Sequence, residues 1–216
     1  IPDVVRNVGP AAADQTLEWA LQGRDRGVVA LGLSGNEARF SNEPFRPHFE
    51  AARQAGLHRV AHAGEHSGPE SIRSVLEVCG AERIGHGLRA VEDPALLAEL
   101  RERRIPLELC PSSNLCLGVV QDLAHHPFDQ LYRAGLRVSV SSDDPAFFNT
   151  NLTREYLRLG QTFGYDADQL AGLALAGLRQ SFLPVPERTA LEARFHAELA
   201  GLGRELFGAP VQLPVA

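Results

Sequence analysis

Short apolar runs that alternate with helical stripes predict an α/β fold with a parallel sheet, and the spacing of those runs predicts a (β/α)8 barrel. Three observations carry this. Strand-like runs begin near Val28, Arg59, Arg83, Ile105 and Arg137, each preceded by a helical pattern. Their starts lie about 22 to 32 residues apart, close to the roughly 30 per unit of an eightfold barrel. Each run gives way at its C-terminal end to polar, chemistry-bearing residues, the end at which such folds place ligands.

The elements follow in order. Ile1 to Ala13 read as a loop leading to a helix start near Ala13 or Asp14, and that helix ends by Gly23 or Gly27. Val28 to Leu33 is a strand, followed by Ser34-Gly35-Asn36 and a loop with Pro44 and Pro47. A helix over Phe49 to Gln54 stops at Gly56, where the chain needs a residue free to turn. Arg59 to Ala63 is the next strand, and it delivers His62, Glu65 and His66 where it breaks at Gly64. Pro69 at a first helical position opens a helix with Ile72, Val75 and Leu76 on one stripe. Arg83 to Gly87 is a very short strand tipped by His86, and Asp93-Pro94 opens the next helix. Ile105 to Cys110 is a strand ending in Pro111-Ser112-Ser113-Asn114, Pro127-Phe128 starts a helix, and Arg137 to Ser141 is a strand ending in Asp143-Asp144-Pro145. Beyond Pro145 the pattern is helical around Thr153 to Leu159, Ala167 to Gln180 and Glu187 to Leu202, with an extended tail from Ala209.

Five strands do not close an eight-stranded barrel. The chain is therefore expected to cover about strands 4 to 8 plus C-terminal helices as a single domain over residues 1–216. The first three βα units, on the order of 90 to 100 residues at that spacing, would lie outside it. It opens at Ile1 and contains no methionine.

Composition narrows the function. The 216 residues are 44% hydrophobic and 22% charged, ordinary for a globular chain. Net charge is 21 − 27 = −6 with no basic stripe, so nucleic-acid binding lacks an electrostatic basis. No apolar run is long enough to span a bilayer, and the expected location is cytoplasmic. Cys79, Cys110 and Cys116 form no Cys-x-x-Cys pair and read as buried small hydrophobes in a reducing compartment.

The strand ends together present His62 and Glu65, then His86, then Asp143 and Asp144. In a parallel barrel all these ends open on one face. Histidine nitrogen and carboxylate oxygen can ligate zinc, and a bound metal makes water acidic enough to act as hydroxide near neutral pH. A separate carboxylic acid can give a proton to a ring nitrogen or a leaving group. Singly, these residues have structural readings: a histidine hydrogen-bonded at a strand end, Asp-Asp-Pro as a turn. Their recurrence at successive strand ends argues for a site. The i, i+4 spacing of His62 and His66 matches a zinc-binding helix, but Gly64 and the preceding strand argue against a helix there. His125-His126 reads as a surface turn, and His48, His58 and His196 as structural.

HAGE at 62–65, RIGHG at 83–87, CPSSN at 110–114 and SSDDPAFF at 141–148 together resemble the adenosine deaminase family of zinc-dependent purine aminohydrolases, in that family's order and spacing. The resemblance, over roughly Val28 to Tyr156, implies a (β/α)8 barrel of the amidohydrolase superfamily and hydrolysis of a 6-aminopurine nucleoside such as adenosine to the 6-oxopurine and ammonia. It implies His62 and Asp143 as metal ligands, with Asp143 also assisting deprotonation of the water. It implies Glu65 as the proton shuttle to the purine ring, His86 as the residue orienting the attacking hydroxide, and Gly35 and Asp144 as substrate-binding residues. One Zn2+ per complete chain is implied, with two further histidine ligands, from a His-x-His pair that this chain lacks, expected upstream of Ile1. Gly32 departs from relatives that carry an acidic residue in that strand. Adenine and aminofutalosine deamination remain alternatives within the family, and a non-catalytic truncated barrel acting as a binding protein is an alternative of another class.

Overall fold

The computed structural model describes residues 1–211 and 213; half of the extended tail expected from Ala209 lies outside the described residues. The chain forms two compact units. The first comprises 1–109 and 130–137, and the second 110–129 and 138–216.

The first unit is built on strands β1 (Asp3–Val5), β2 (Ala30–Ser34), β3 (His58–Ala63), β4 (Arg83–His86) and β5 (Leu107–Leu109). They lie side by side in chain order, each paired in parallel with the next. Helices α1 (Pro10–Gln22), α2 (Arg46–Gln54), α3 (Pro69–Ser74) and α4 (Pro94–Glu102) provide the crossovers. The strands are short and mostly buried because helices cover one face; Leu31, Leu33, Ile72, Ile84, Leu96, Leu100 and Leu107 are fully enclosed. Local chemistry sets the element ends. Asp93 accepts hydrogen bonds from the N–H groups of Ala95 and Leu96, capping α4. The helix begun at Pro69 widens into a π-turn over Val75–Cys79 and ends at Gly80 in the left-handed conformation.

The opening segment corrects the loop expected over Ile1 to Ala13. Asp3–Val5 is a strand paired with Gly32, Leu33 and Ser34, and α1 starts at Pro10, before Ala13. The strand escaped detection because only Val4 of its three residues is buried; it gains its hydrogen-bond partners from β2. This pairing also accounts for Gly32. A side chain there would fall on the Asp3 carboxylate, which occupies that space.

The second unit holds α5 (Pro111–Cys116), strand β6 (Val138–Val140), α7 (Leu152–Phe163), α8 (Ala167–Arg179) and α9 (Val185–Phe207), and the boundary between units falls inside α6 (Phe128–Arg133). Helix α8 packs on β6 and on α9. Phe128, Phe163 and Tyr165 form an aromatic cluster, with ring centroids 6.5 Å apart for Phe128–Phe163 and 5.7 Å for Phe163–Tyr165. Two expectations are corrected here. His126 is not on a surface turn: it is buried, whereas His125 is exposed. Cys116 is exposed, unlike the buried Cys79 and Cys110. Among the described residues no helix is long and apolar enough to cross a membrane.

Candidate functional site

In the first unit, the C-terminal ends of β2, β3 and β4 bring together four of the residues singled out from the sequence: Gly35, His62, Glu65 and His86. A cavity of about 510 Å³ is lined by Gly35, Asn36, Glu37, Ala38, His62, Glu65 and His66. His62 sits one residue before the end of β3. Its Nδ1 lies 3.2 Å from the Leu33 carbonyl. A carbonyl only accepts, so Nδ1 is the donor, which in the neutral ring leaves the Nε2 lone pair for a metal, the arrangement of a metal-binding histidine held by a backbone acceptor. The ring lies against Gly85, where an added Cβ would come within 3.2 Å of its Cγ. The His62 and His86 ring centroids are 5.2 Å apart, tilted at 53°.

Glu65 lies between two histidines. Its Oε1 is 3.5 Å from His86 Nδ1 and its Oε2 is 3.1 Å from His66 Nδ1. Its side chain is only 12% exposed, while that of His66 is 50% exposed. His66, which carried no role in the sequence reading, is thus the solvent-facing neighbour of the proton-shuttle candidate. His86 is buried and holds a φ of 64°, a left-handed conformation that costs a non-glycine residue about 1–2 kcal/mol. Asp143 shares this feature, with φ 54°. Such strain gathers where side-chain placement matters more than backbone comfort.

Asp143 and Asp144 follow β6 in the second unit. Asp143 Oδ2 accepts from the Ser113 hydroxyl at 2.7 Å, and Asp144 is exposed, its carbonyl accepting from Phe147 and Phe148. The CPSSN stretch is mostly helical, Pro111–Cys116 being the helix α5. Ser112 hydrogen-bonds the fully buried Glu155 through its backbone and its hydroxyl, Thr150 and Arg158 join that cluster, and Asn114 meets His126.

Two residues missed in the sequence support the cavity. Arg6, 1% exposed, donates to the carbonyl of His62 at 2.7 Å, to the carbonyl of Gly35 at 3.2 Å and to Asn42 Oδ1 at 2.8 Å. Burial pushes its guanidinium down from the usual range, against the opposing charge of Glu37. Glu37 accepts from the backbone of 64 to 67. Gly35, at φ 88°, is pressed against this support: an added Cβ would lie 2.5 Å from Asn7 Oδ1 and 3.0 Å from the Arg6 nitrogen. No periodic signal marks Arg6 or Glu37 in the sequence, since their partners lie 27 to 56 residues away.

Within the first unit, a histidine anchored through Nδ1, a sheltered carboxyl and a strained buried histidine lie together at parallel strand ends of an α/β scaffold. A family model described as adenosine deaminase matches residues 3–197, and the chain belongs to that family. It is 44% identical over 186 residues to the aminodeoxyfutalosine deaminase of Streptomyces coelicolor, covering 85% of this chain and 48% of that protein. It is 40% identical over 193 residues to the adenosine deaminase of Escherichia coli O1:K1, covering 89% of this chain and 58% of that protein. Among solved structures, adenine deaminase from Arthrobacter aurescens matches with a TM-score of 0.85 and 31% identity, over 91% of this chain and 60% of that one. The α/β barrel class expected from the sequence is the fold of these relatives, and the chain spans about half the length of the curated relatives it matches.

Proposed function

We propose that the complete protein hydrolyses the exocyclic amine of a 6-aminopurine nucleoside of the adenosine type, giving the 6-oxopurine and ammonia. The observation that carries this reading is the Glu65 carboxyl, sheltered at the edge of a 510 Å³ cavity with His86 Nδ1 at 3.5 Å. A proton donor beside a second polar group is what ring protonation coupled to water attack requires.

His62 and Asp143 would hold zinc, with further histidine ligands expected from outside this chain; the fixed Nδ1–H of His62 leaves its Nε2 suited to the task. When bound, zinc supplies Lewis-acid activation of water at neutral pH. Asp143, oriented by the Ser113 hydroxyl, would take a proton from the attacking water. His86 orients its oxygen toward the ring carbon bearing the amine. Glu65 gives a proton to the adjacent ring nitrogen. As the C–O bond forms and the C–N bond breaks, the amine takes up the proton held by Asp143 and leaves as ammonia, while the added hydroxyl returns its proton to Glu65 and becomes the 6-oxo group. Gly35 offers a backbone donor, and Asp144 a carboxylate, to other ring nitrogens.

A second reading, deamination of aminodeoxyfutalosine, rests on the 42 to 44% identity to the Streptomyces proteins of that name, beside 40 to 42% to the adenosine deaminases of Escherichia coli and Klebsiella pneumoniae. Steady-state kcat/KM on adenosine, adenine and aminodeoxyfutalosine ranks the readings, and inactivity on all three refutes them together. Glu65→Gln should lower kcat at least ~100-fold, the size of a lost general acid, with one zinc per chain retained. Loss of zinc would instead make Glu65 a ligand.

A further inference from the structure

Glu37 has no part in the roles above, yet its surroundings are unusual for a carboxylate lining a cavity. Its Oε1 accepts from the N–H groups of Glu65 at 2.8 Å, His66 at 2.6 Å and Ser67 at 3.0 Å. Its Oε2 accepts from the N–H of Gly64 at 2.8 Å and from the Ser71 hydroxyl. Four successive amides thus converge on one side chain. A turn that aims its N–H groups together makes an anion-binding concavity, and here the chain supplies its own anion. Burial pushes the Glu37 carboxyl up, but the bonds from Ser71 and from the amides of Ser67, His66 and Glu65 outweigh it and hold it below the ordinary carboxylate range.

We infer that Glu37 is a positioning residue for the Glu65 proton donor, an inference that rests on the deaminase reading. Its bonds fix the backbone from which the Glu65 side chain departs, and a shift of about 1 Å at such a point can cost 10²-fold in rate. Its charge also acts on Glu65. Groups facing Glu65 include His86 at 3.5 Å, His66 at 3.1 Å and the Arg89 Nε, 3.2 Å from the Glu65 carbonyl. When charged, these favour the Glu65 carboxylate; Glu37, bonded to the Glu65 amide, favours the acid that donates.

The test compares Glu37→Gln, Glu37→Asp and Ser71→Ala in the complete, zinc-loaded protein. It reads kcat and KM against pH on adenosine and aminodeoxyfutalosine, zinc content, and amide hydrogen exchange. Glu37→Gln removes the charge and sets an NH2 group against N–H donors. Its kcat should fall ~10- to 100-fold with KM within ~3-fold. The basic limb of the kcat profile should move to lower pH, zinc should stay at one per chain, and exchange should quicken at 64–67 ahead of the rest. Glu37→Asp keeps the charge but not the reach, so kcat falls while the basic limb stays. Ser71→Ala keeps the amide bonds, so kcat stays within ~3-fold. Folded Glu37→Gln with wild-type kcat or an unmoved basic limb overturns the inference, as does a loss of kcat that tracks lost zinc. If Glu37→Gln does not fold, wild-type kcat in Glu37→Asp overturns it. A wild type inactive on both of these and on adenine refutes the deaminase reading instead, and unchanged exchange at 64–67 in Glu37→Asp then refutes the positioning of the turn.

Discussion

Replacing Gly64 with alanine probes the turn that carries the site. Gly64 holds φ at 67°, and putting an L side chain in that region costs about 1–2 kcal/mol. There is a second term. A Cβ built at Gly64 lies 2.5 Å from Ile72 Cδ1 and 2.6 Å from Ile72 Cγ1. Ile72 is fully buried on α3 and has no solvent to swing into. Overpacking of this kind costs about 1–3 kcal/mol, so Gly64→Ala should destabilise by about 2–5 kcal/mol in all. Urea unfolding of the protein reads this as a lowered midpoint at unchanged slope. The two terms separate in a double mutant. Ile72→Ala removes both clashing carbons, at about 2–5 kcal/mol for the cavity it leaves. The double mutant should then be more stable than the sum of the single changes by about 1–3 kcal/mol. A loss below ~1 kcal/mol in Gly64→Ala would show that the turn is not locked in the left-handed conformation. Additivity within ~0.5 kcal/mol would show that Ile72 is not the obstruction.

Arg6→Met should cost about 3–5 kcal/mol, because the carbonyls of His62 and Gly35 and the Asn42 side chain each lose a buried donor; Arg6→Lys should recover less than half, since an ammonium lacks the planar fork that spans three acceptors. Chemical denaturation measures both, and a loss below ~1 kcal/mol in Arg6→Met would remove Arg6 from the support of the site. His126 makes stability depend on acid. Burial pushes its imidazole down from 6.5 to about 4, with Nδ1 accepting from the Phe128 N–H at 3.0 Å and Nε2 3.2 Å from Asn114 Oδ1. Between those values the unfolded chain binds a proton that the folded one does not. The stabilisation is therefore complete above about pH 6.5 and is lost as pH falls toward 4, by about 3 kcal/mol. His126→Gln should flatten that slope, and an identical slope in the variant would remove His126 as its cause.

Much of the fold and part of the site could be read from the chain because they rest on local rules. A strand shows itself by its apolar run, a helix by its stripe, and an element end by a proline such as Pro69 or a cap such as Asp93, all within a few residues. The same locality placed His62, Glu65 and His86 at strand ends, and a parallel sheet then brings neighbouring ends together without further information. The alternation and the chemistry at its breaks are thus written locally along the chain. What holds that chemistry in place comes from packing between distant segments. Asp3–Val5 is a strand because β2 lies beside it, His126 is buried because the second unit closes over it, and His66 meets Glu65 because the turn folds back. Arg6 and Glu37 grip a turn 56 and 27 residues or more along the chain. Such partners share no period and no motif. A buried donor or acceptor takes whichever group the fold delivers within hydrogen-bond reach, and that delivery is a property of the packed molecule.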